Sequence, residues 1–293
     1  MRLASWINRW KSLSLLLRLI VVNVALFLII RLAGVALMIF GGDIDPVINE
    51  LALPSSLQSL AFRPWTPISY MFTHYDVLHI LFNMLTLYWF GRIFLFRSTP
   101  RQLLALYLMG GLGGAVLYLL WGTAFGVSAT LLGASAAVMA IVIADAILMP
   151  DFEVGLFLIG MVKLKWVAVA MVALFALGLV GDNAGGHVAH IGGILVGLWY
   201  GLMMLRGRDI TRPLNRLLDF FANLTRRRGE PAKAKFGRKK RVRRDSGSAT
   251  RDKAADHKRI DAILDKIKTS GYSSLTPDEK RELFDLSNRT RHN

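Results

Sequence analysis

Residues 187–205 read HVAHIGGILVGLWYGLMML. The run is apolar and close to the roughly 20 residues that a bilayer-spanning helix needs. It nevertheless carries His190, with Gly193, Gly197 and Gly201 at offsets that return to the same helical face. An imidazole is costly in hydrocarbon and tends to mark function. A glycine stripe lets another backbone approach closely. The segment therefore predicts a membrane helix holding a reactive group against a tightly packed neighbour.

Outward from it, five more apolar runs reach spanning length: 15–40, 74–94, 103–121, 129–149 and 162–180. Over the whole chain, 54% of residues are hydrophobic, which supports the membrane setting. The first run is too long for a signal h-region and no small-residue cleavage site follows it, so it reads as a retained span. The sequence has no cysteine. That excludes a disulfide framework, a thiolate nucleophile and thiolate metal sites.

Basic residues set the topology. Arg2, Arg9, Lys11 and Arg18 precede or open the first run, and a basic tail follows the sixth. Both ends are thus expected in the cytoplasm, with an even number of spans. Arg92, Arg97, Arg101, Lys163 and Lys165 fall in connections on that same side, whereas Asp43, Asp45, Glu50 and Asp182 fall on the other. With ~1.5 Å rise per helical residue, His79, Ser135 and His190 each fall within roughly 10 Å of the extracytoplasmic boundary.

The run at 129–149 holds Gly133-Ala134-Ser135-Ala136 and further small residues at Ala137, Ala140 and Ala144. These match the glycine stripe and predict close packing of the two helices, with Gly133, Gly193 and Gly197 as packing positions. An imidazole brought to a serine hydroxyl in this way activates an otherwise weak nucleophile. His79 and Asn83 lie one turn apart on one face of the 74–94 run and are suitable oxyanion donors.

Taken together, these segments resemble the rhomboid intramembrane serine proteases of bacterial type, with a six-span core. The likeness rests on Gly133-Ala134-Ser135, on the run from Ala189 to Gly197, on His79 to Asn83, and on span count and motif order; it covers about residues 15–205. It implies a Ser135–His190 dyad without a third acid, and a tetrahedral oxyanion held by the Ser135 N–H with the side chains of His79 and Asn83. It also implies transmembrane-helix substrates cut near their extracytoplasmic end, a bacterial inner membrane location, no cofactor and no metal. By the same likeness the 41–73 connection is an interface-embedded loop, residues 181–186 form a mobile cap, and the fifth span is a lateral gate. Three positions depart from the family pattern: Ala136 and Met139 stand where glycine and an aromatic are frequent, and Trp65-Thr66 replaces a Trp-Arg pair.

Other readings compete. Ser135 could be a packing residue bonded to the preceding turn, and His187 is a rival base. His74 is expected to cap or brace the start of its span, and Asp145 to be an interfacial or packing carboxylate. His74, Asp76, His79, His187 and His190 suit zinc chemistry, but no HExxH-type helix is present. A transporter or scaffold would place its polar site at the midplane and show repeats, and neither is evident here.

Four segments result: a basic N-terminal stretch at 1–14, the six-span all-α unit at 15–205, a basic linker at 206–255 and a small helical module at 256–293. Residues 206–259 include Arg226-Arg227-Arg228 and Arg238-Lys239-Lys240-Arg241, which suit anionic lipid head groups. Nucleic acid is less suited, because the tail is tethered to a membrane and lacks interleaved aromatics. In the module, Ile260, Ile263, Leu264 and Ile267 are at helical spacing. Thr276, Pro277 and Glu279 signal a second helix start, with Leu283, Phe284 and Leu286 as its apolar face.

Overall fold

The computed structural model describes residues 10, 12–156, 160–178, 184–225 and, toward the C terminus, 261–263, 265–269, 271, 274–276 and 278–280. It divides into two units, 1–226 and 227–293. The first is an all-helical polytopic membrane fold. Its helices are α1 (Leu15–Ile39), α2 (Asp45–Leu51), α3 (Leu57–Phe62), α4 (Thr66–Ser69), α5 (Val77–Phe94), α6 (Pro100–Phe125), α7 (Ser135–Leu148), α8 (Leu164–Gly178), α9 (Ala184–Leu205) and α10 (Arg212–Thr225). Local chemistry sets several starts. Ser14 caps α1 through the Leu17 N–H at 3.3 Å and Asp76 caps α5 through the His79 N–H at 2.7 Å, while Thr99 and Gln102 form a capping box at α6 with Pro100 beside it.

Among the described residues, four helices are long and apolar enough to cross a membrane: α1, α5, α6 and α9. The other two expected spans are shorter helices, and the reason is in their packing. From Ala136 to Ala146 every residue of α7 is buried. A helix enclosed by protein does not have to match the bilayer thickness, and 14 residues give ~21 Å. The expected helix from 129 is corrected: Thr130–Leu131 (β2) runs extended and pairs antiparallel with Leu53–Pro54 (β1). Similarly, α8 begins at Leu164, after an antiparallel hairpin of Glu153–Leu156 (β3) and Gly160–Lys163 (β4).

α6, α7 and α9 form the tightly packed centre. A Cβ on Gly193 would overlap the Ala136 carbonyl, and one on Gly197 the Ala140 carbonyl; Gly192 faces the Gly113 carbonyl in the same way. The glycine stripe thus works as expected from its face. Gly133 does not belong to this packing and is corrected: it precedes α7, with φ of 118°, and a Cβ there would come 2.5 Å from His79 Cε1. A left-handed backbone against a ring leaves glycine as the residue that fits.

Of the two expectations for Asp145, packing holds and interfacial does not: it is fully buried in α7, and its carboxylate has no hydrogen-bond partner among the described residues. The 41–73 connection carries α2, α3, α4, β1 and a 3-10 turn at Tyr70–Phe72. The missing Trp-Arg pair is offset by other anchors: Trp65 Nε1 donates to the Glu50 carbonyl at 2.7 Å and Arg63 donates to the Asn49 carbonyl.

After α9 the expected linker is interrupted by α10, and polar side chains of this helix and of the loop before it bond to the start of α6. Arg101 pairs with Asp219 at 2.9 Å and Gln102 donates to Asp209 at 3.0 Å. In the second unit, Ile263 is buried, Lys266 pairs with Glu279 at 2.7 Å, and Thr276 and Glu279 exchange capping bonds. Leu283, Phe284 and Leu286 lie outside the described residues, as do 181–183 of the expected cap, whose remaining residues belong to α9.

Candidate active site

Ser135 is the first residue of α7. Its own N–H is therefore one of the first-turn donors that a helix leaves without an internal acceptor, at the positive end of the helix dipole. The loop that delivers it is fixed on both sides. The Gly133 N–H donates to the Tyr70 carbonyl at 2.9 Å, and the Ala134 N–H donates to His74 Nε2 at 3.2 Å. His74 is fully buried and its ring meets that of His79 edge-on, with centroids 5.3 Å apart. The expected brace at the start of the second span therefore acts on the serine loop as well.

His190 approaches from α9. Its Nε2 lies 2.6 Å from Ser135 Oγ, a distance that the backbone contact at Gly193 makes possible. To accept from the hydroxyl, Nε2 must be unprotonated, with the proton on Nδ1. Among the described residues Nδ1 has no hydrogen-bond partner. Packing orients the ring instead. Phe175 of α8 lies with its centroid 4.2 Å from that of His190, and His187 packs edge-on at 5.6 Å. The position that is often aromatic in α7, Met139, is 1% exposed and buried in the core. The rival base His187 instead sits against Phe175 and Gly178.

His79 and Asn83 share the face of α5 beside this loop. Asn83 Nδ2 donates one hydrogen to the His79 carbonyl at 2.9 Å and has a second one to offer. The His79 ring packs over Gly133, two residues before the serine. Among the described residues, no three histidine or carboxylate side chains converge as a metal-ligand group.

Sequence reasoning missed Tyr70 and Phe175. Tyr70 contributes a carbonyl, to which any residue type would be equal, and Phe175 is one apolar residue among many in α8.

A comparison of the sequence with protein families matches the Rhomboid domain over residues 61–207, half of the chain. The chain belongs to the rhomboid family. Members of this family are in general intramembrane serine proteases that act on transmembrane substrates. Residues 250–289 match a second family, of unknown function. Similar proteins include Presenilin-associated rhomboid-like protein A, mitochondrial, of Danio rerio, 34% identical over 133 residues, or 44% of this chain and 34% of that one. RHOMBOID-like protein 12, mitochondrial, of Arabidopsis thaliana is 34% identical over 125 residues, covering 33% of this chain and 37% of its own. The rhomboid described here spans about a third of the length of these relatives. Their names overturn one expectation: these relatives are mitochondrial proteins, not proteins of a bacterial inner membrane. The multi-pass membrane character stands.

Proposed function

We propose that this rhomboid is an intramembrane serine endopeptidase that hydrolyses a peptide bond in a transmembrane helix of a membrane-protein substrate. The observation that carries this reading is the 2.6 Å contact between Ser135 Oγ and His190 Nε2. Ser135 Oγ attacks the scissile carbonyl as His190 Nε2 removes its proton, and the imidazolium then protonates the leaving amine. Water, activated by the same imidazole, releases the acyl group and regenerates the serine. With no acid at Nδ1 among the described residues, the imidazolium depends on ring packing and on the oxyanion for its placement.

The oxyanion is assigned to the Ser135 N–H and the side chains of His79 and Asn83. These are fixed donors in a water-poor site, where each contributes more than it would in bulk water. The substrate helix enters between α8 and the centre. An apolar cavity of about 510 Å³ lined by Ile143, Ile147, Ala168, Val172, Ile194 and Leu198 supports α8 as the movable wall. The scissile bond lies near the membrane face opposite the basic chain ends, and helix-breaking residues beside it favour cleavage because intact helix hydrogen bonds shield the carbonyl.

The test is cleavage of a reporter transmembrane substrate in vesicles by wild type, Ser135→Ala and His190→Ala. Wild type cuts, and both variants lose at least ~1,000-fold in kcat/KM. Undiminished cleavage by Ser135→Ala would sink the serine mechanism.

A further inference from the structure

The basic stretch after α9 contains an element that basic residues alone do not explain. Helix α10 is separated from the end of α9 by six residues and carries two well-separated faces. Leu214, Leu217, Leu218, Phe220 and Phe221 fall on one arc of the helix, while Arg212, Asn215, Arg216, Asp219 and Asn223 fall on the other. Leu217, Phe220 and Phe221 are 49%, 58% and 55% exposed. Three large apolar side chains standing together in water on one helix would be a costly arrangement.

The polar arc is fastened. Asp219 pairs with Arg101 in the first turn of α6, and the loop entering α10 is tied to the same turn by Gln102 and Asp209. Thr211 and Asn215 continue that network, through the Thr211 N–H to Asp209 at 2.9 Å and Asn215 Nδ2 to Thr211 Oγ1 at 3.1 Å. Both α6 and α9 reach the boundary of the membrane at these residues, so α10 is held at bilayer-surface height. Its rotation about its own axis is set by the Arg101–Asp219 pair, which leaves the Leu217–Phe221 arc facing away from the bundle.

We propose that α10 is an interfacial helix, lying in the membrane surface with Leu217, Phe220 and Phe221 inserted at the head-group and acyl-chain boundary. Its partner is the anionic lipid bilayer. The lipid-facing surface of α9 ends in exposed Leu202 and Leu205 just before α10, so the apolar surface continues from span to helix. Charge agrees with this occupant: Arg206 and Arg208 precede the helix, Arg212 and Arg216 stand on its polar arc, and Arg226-Arg227-Arg228 follow it in the sequence. Arginines together with aromatic and leucine side chains are the composition of a surface-bound amphipathic helix, each cation adding attraction to an anionic surface. The proposal is independent of any proteolytic activity.

The absence of cysteine makes a direct test simple. Single cysteines at Leu217→Cys, Phe220→Cys, Phe221→Cys, Arg216→Cys and Asn223→Cys are spin-labelled in the full chain, in phosphatidylcholine vesicles containing about one quarter phosphatidylglycerol. Labels at 217, 220 and 221 are expected to collide with oxygen several-fold more than with a water-soluble nickel chelate, and labels at 216 and 223 to show the reverse. In vesicles without phosphatidylglycerol, the contrast shrinks. Labels at 217, 220 and 221 shielded from both reagents would mean a protein cover, either the C-terminal residues or a second copy, and would overturn the proposal. Equal nickel access at all five positions would overturn it as well.

Discussion

The Phe175 ring lies 4.2 Å from the His190 ring, centroid to centroid, and the two belong to different helices. His190 has no acid partner at Nδ1 among the described residues, so this contact does much of the work of holding the imidazole toward Ser135. The helix that supplies it, α8, is only lightly anchored: among its described residues, only Leu164 and Ala168 are buried. Movement of α8 would thus open a path for substrate and loosen the base in one step. Phe175→Ala is expected to lower kcat by about tenfold with KM changed less than twofold, and Phe175→Tyr to restore most of it. A loss in KM alone, or no rescue by tyrosine, would show that Phe175 does not orient the histidine.

Gly193→Ala tests how the dyad is brought together. The new methyl would meet the Ala136 backbone, which cannot rotate away. The two helices must separate, and a shift of about 1 Å at a reacting pair costs about 100-fold in rate. At Gly201 the added Cβ meets instead the Ile147 side chain at 2.8 Å, which can adjust. Gly201→Ala should keep most of the activity, and thermal unfolding in detergent should rank the variants in the same order.

His74 holds the Ala134 N–H, one residue before the serine. His74→Ala leaves that buried donor without an acceptor, at a cost of about 1–3 kcal/mol, and should lower both Tm and kcat. His74→Gln offers a carbonyl at similar reach and should recover part of each. If His74→Ala matched wild type in both, the loop would be held by the Gly133–Tyr70 bond alone.

At the foot of α8, Asp151 accepts hydrogen bonds from Lys165 at 2.8 Å and Lys163 at 3.2 Å. The Lys165 bond first, and then the Lys163 bond, hold its carboxyl below the usual carboxylate range. A depressed carboxyl stabilises the folded hairpin above the unfolded value and loses that contribution as pH falls through the folded one. A titration of the Asp151 carboxyl by carbon NMR should show the low midpoint, and Lys165→Ala should return it toward the ordinary range. Because the group is exposed, the effect on overall stability should be small and weaken with salt.

Much of the site was legible in the chain because hydrocarbon makes polar residues conspicuous. His190 and Ser135 stood out against apolar runs, and the spacing of Gly193 and Gly197 identified the face on which they meet. The start of α7 was not legible. The apolar run continues through residues 129–134, and hydropathy cannot tell an extended loop enclosed by protein from a helix facing lipid. α10 was missed for a related reason: basic residues dominate the longer 206–259 stretch that contains it, while its own apolar residues are interrupted in sequence and gather only on a helical surface.

By itself, then, the sequence determined the membrane setting, the family and the identity of the two candidate reacting residues, since these follow from residue type, run length and spacing. Only the tertiary structure decided that Ser135 begins its helix, with, beside its hydroxyl, a first-turn N–H that has no acceptor within the helix, and that the aromatic on His190 comes from α8 rather than from Met139's position. Such facts depend on which surfaces meet. A buried central helix is free to be short, and a ring can be packed by whichever neighbour reaches it, so no local pattern along the chain encodes either.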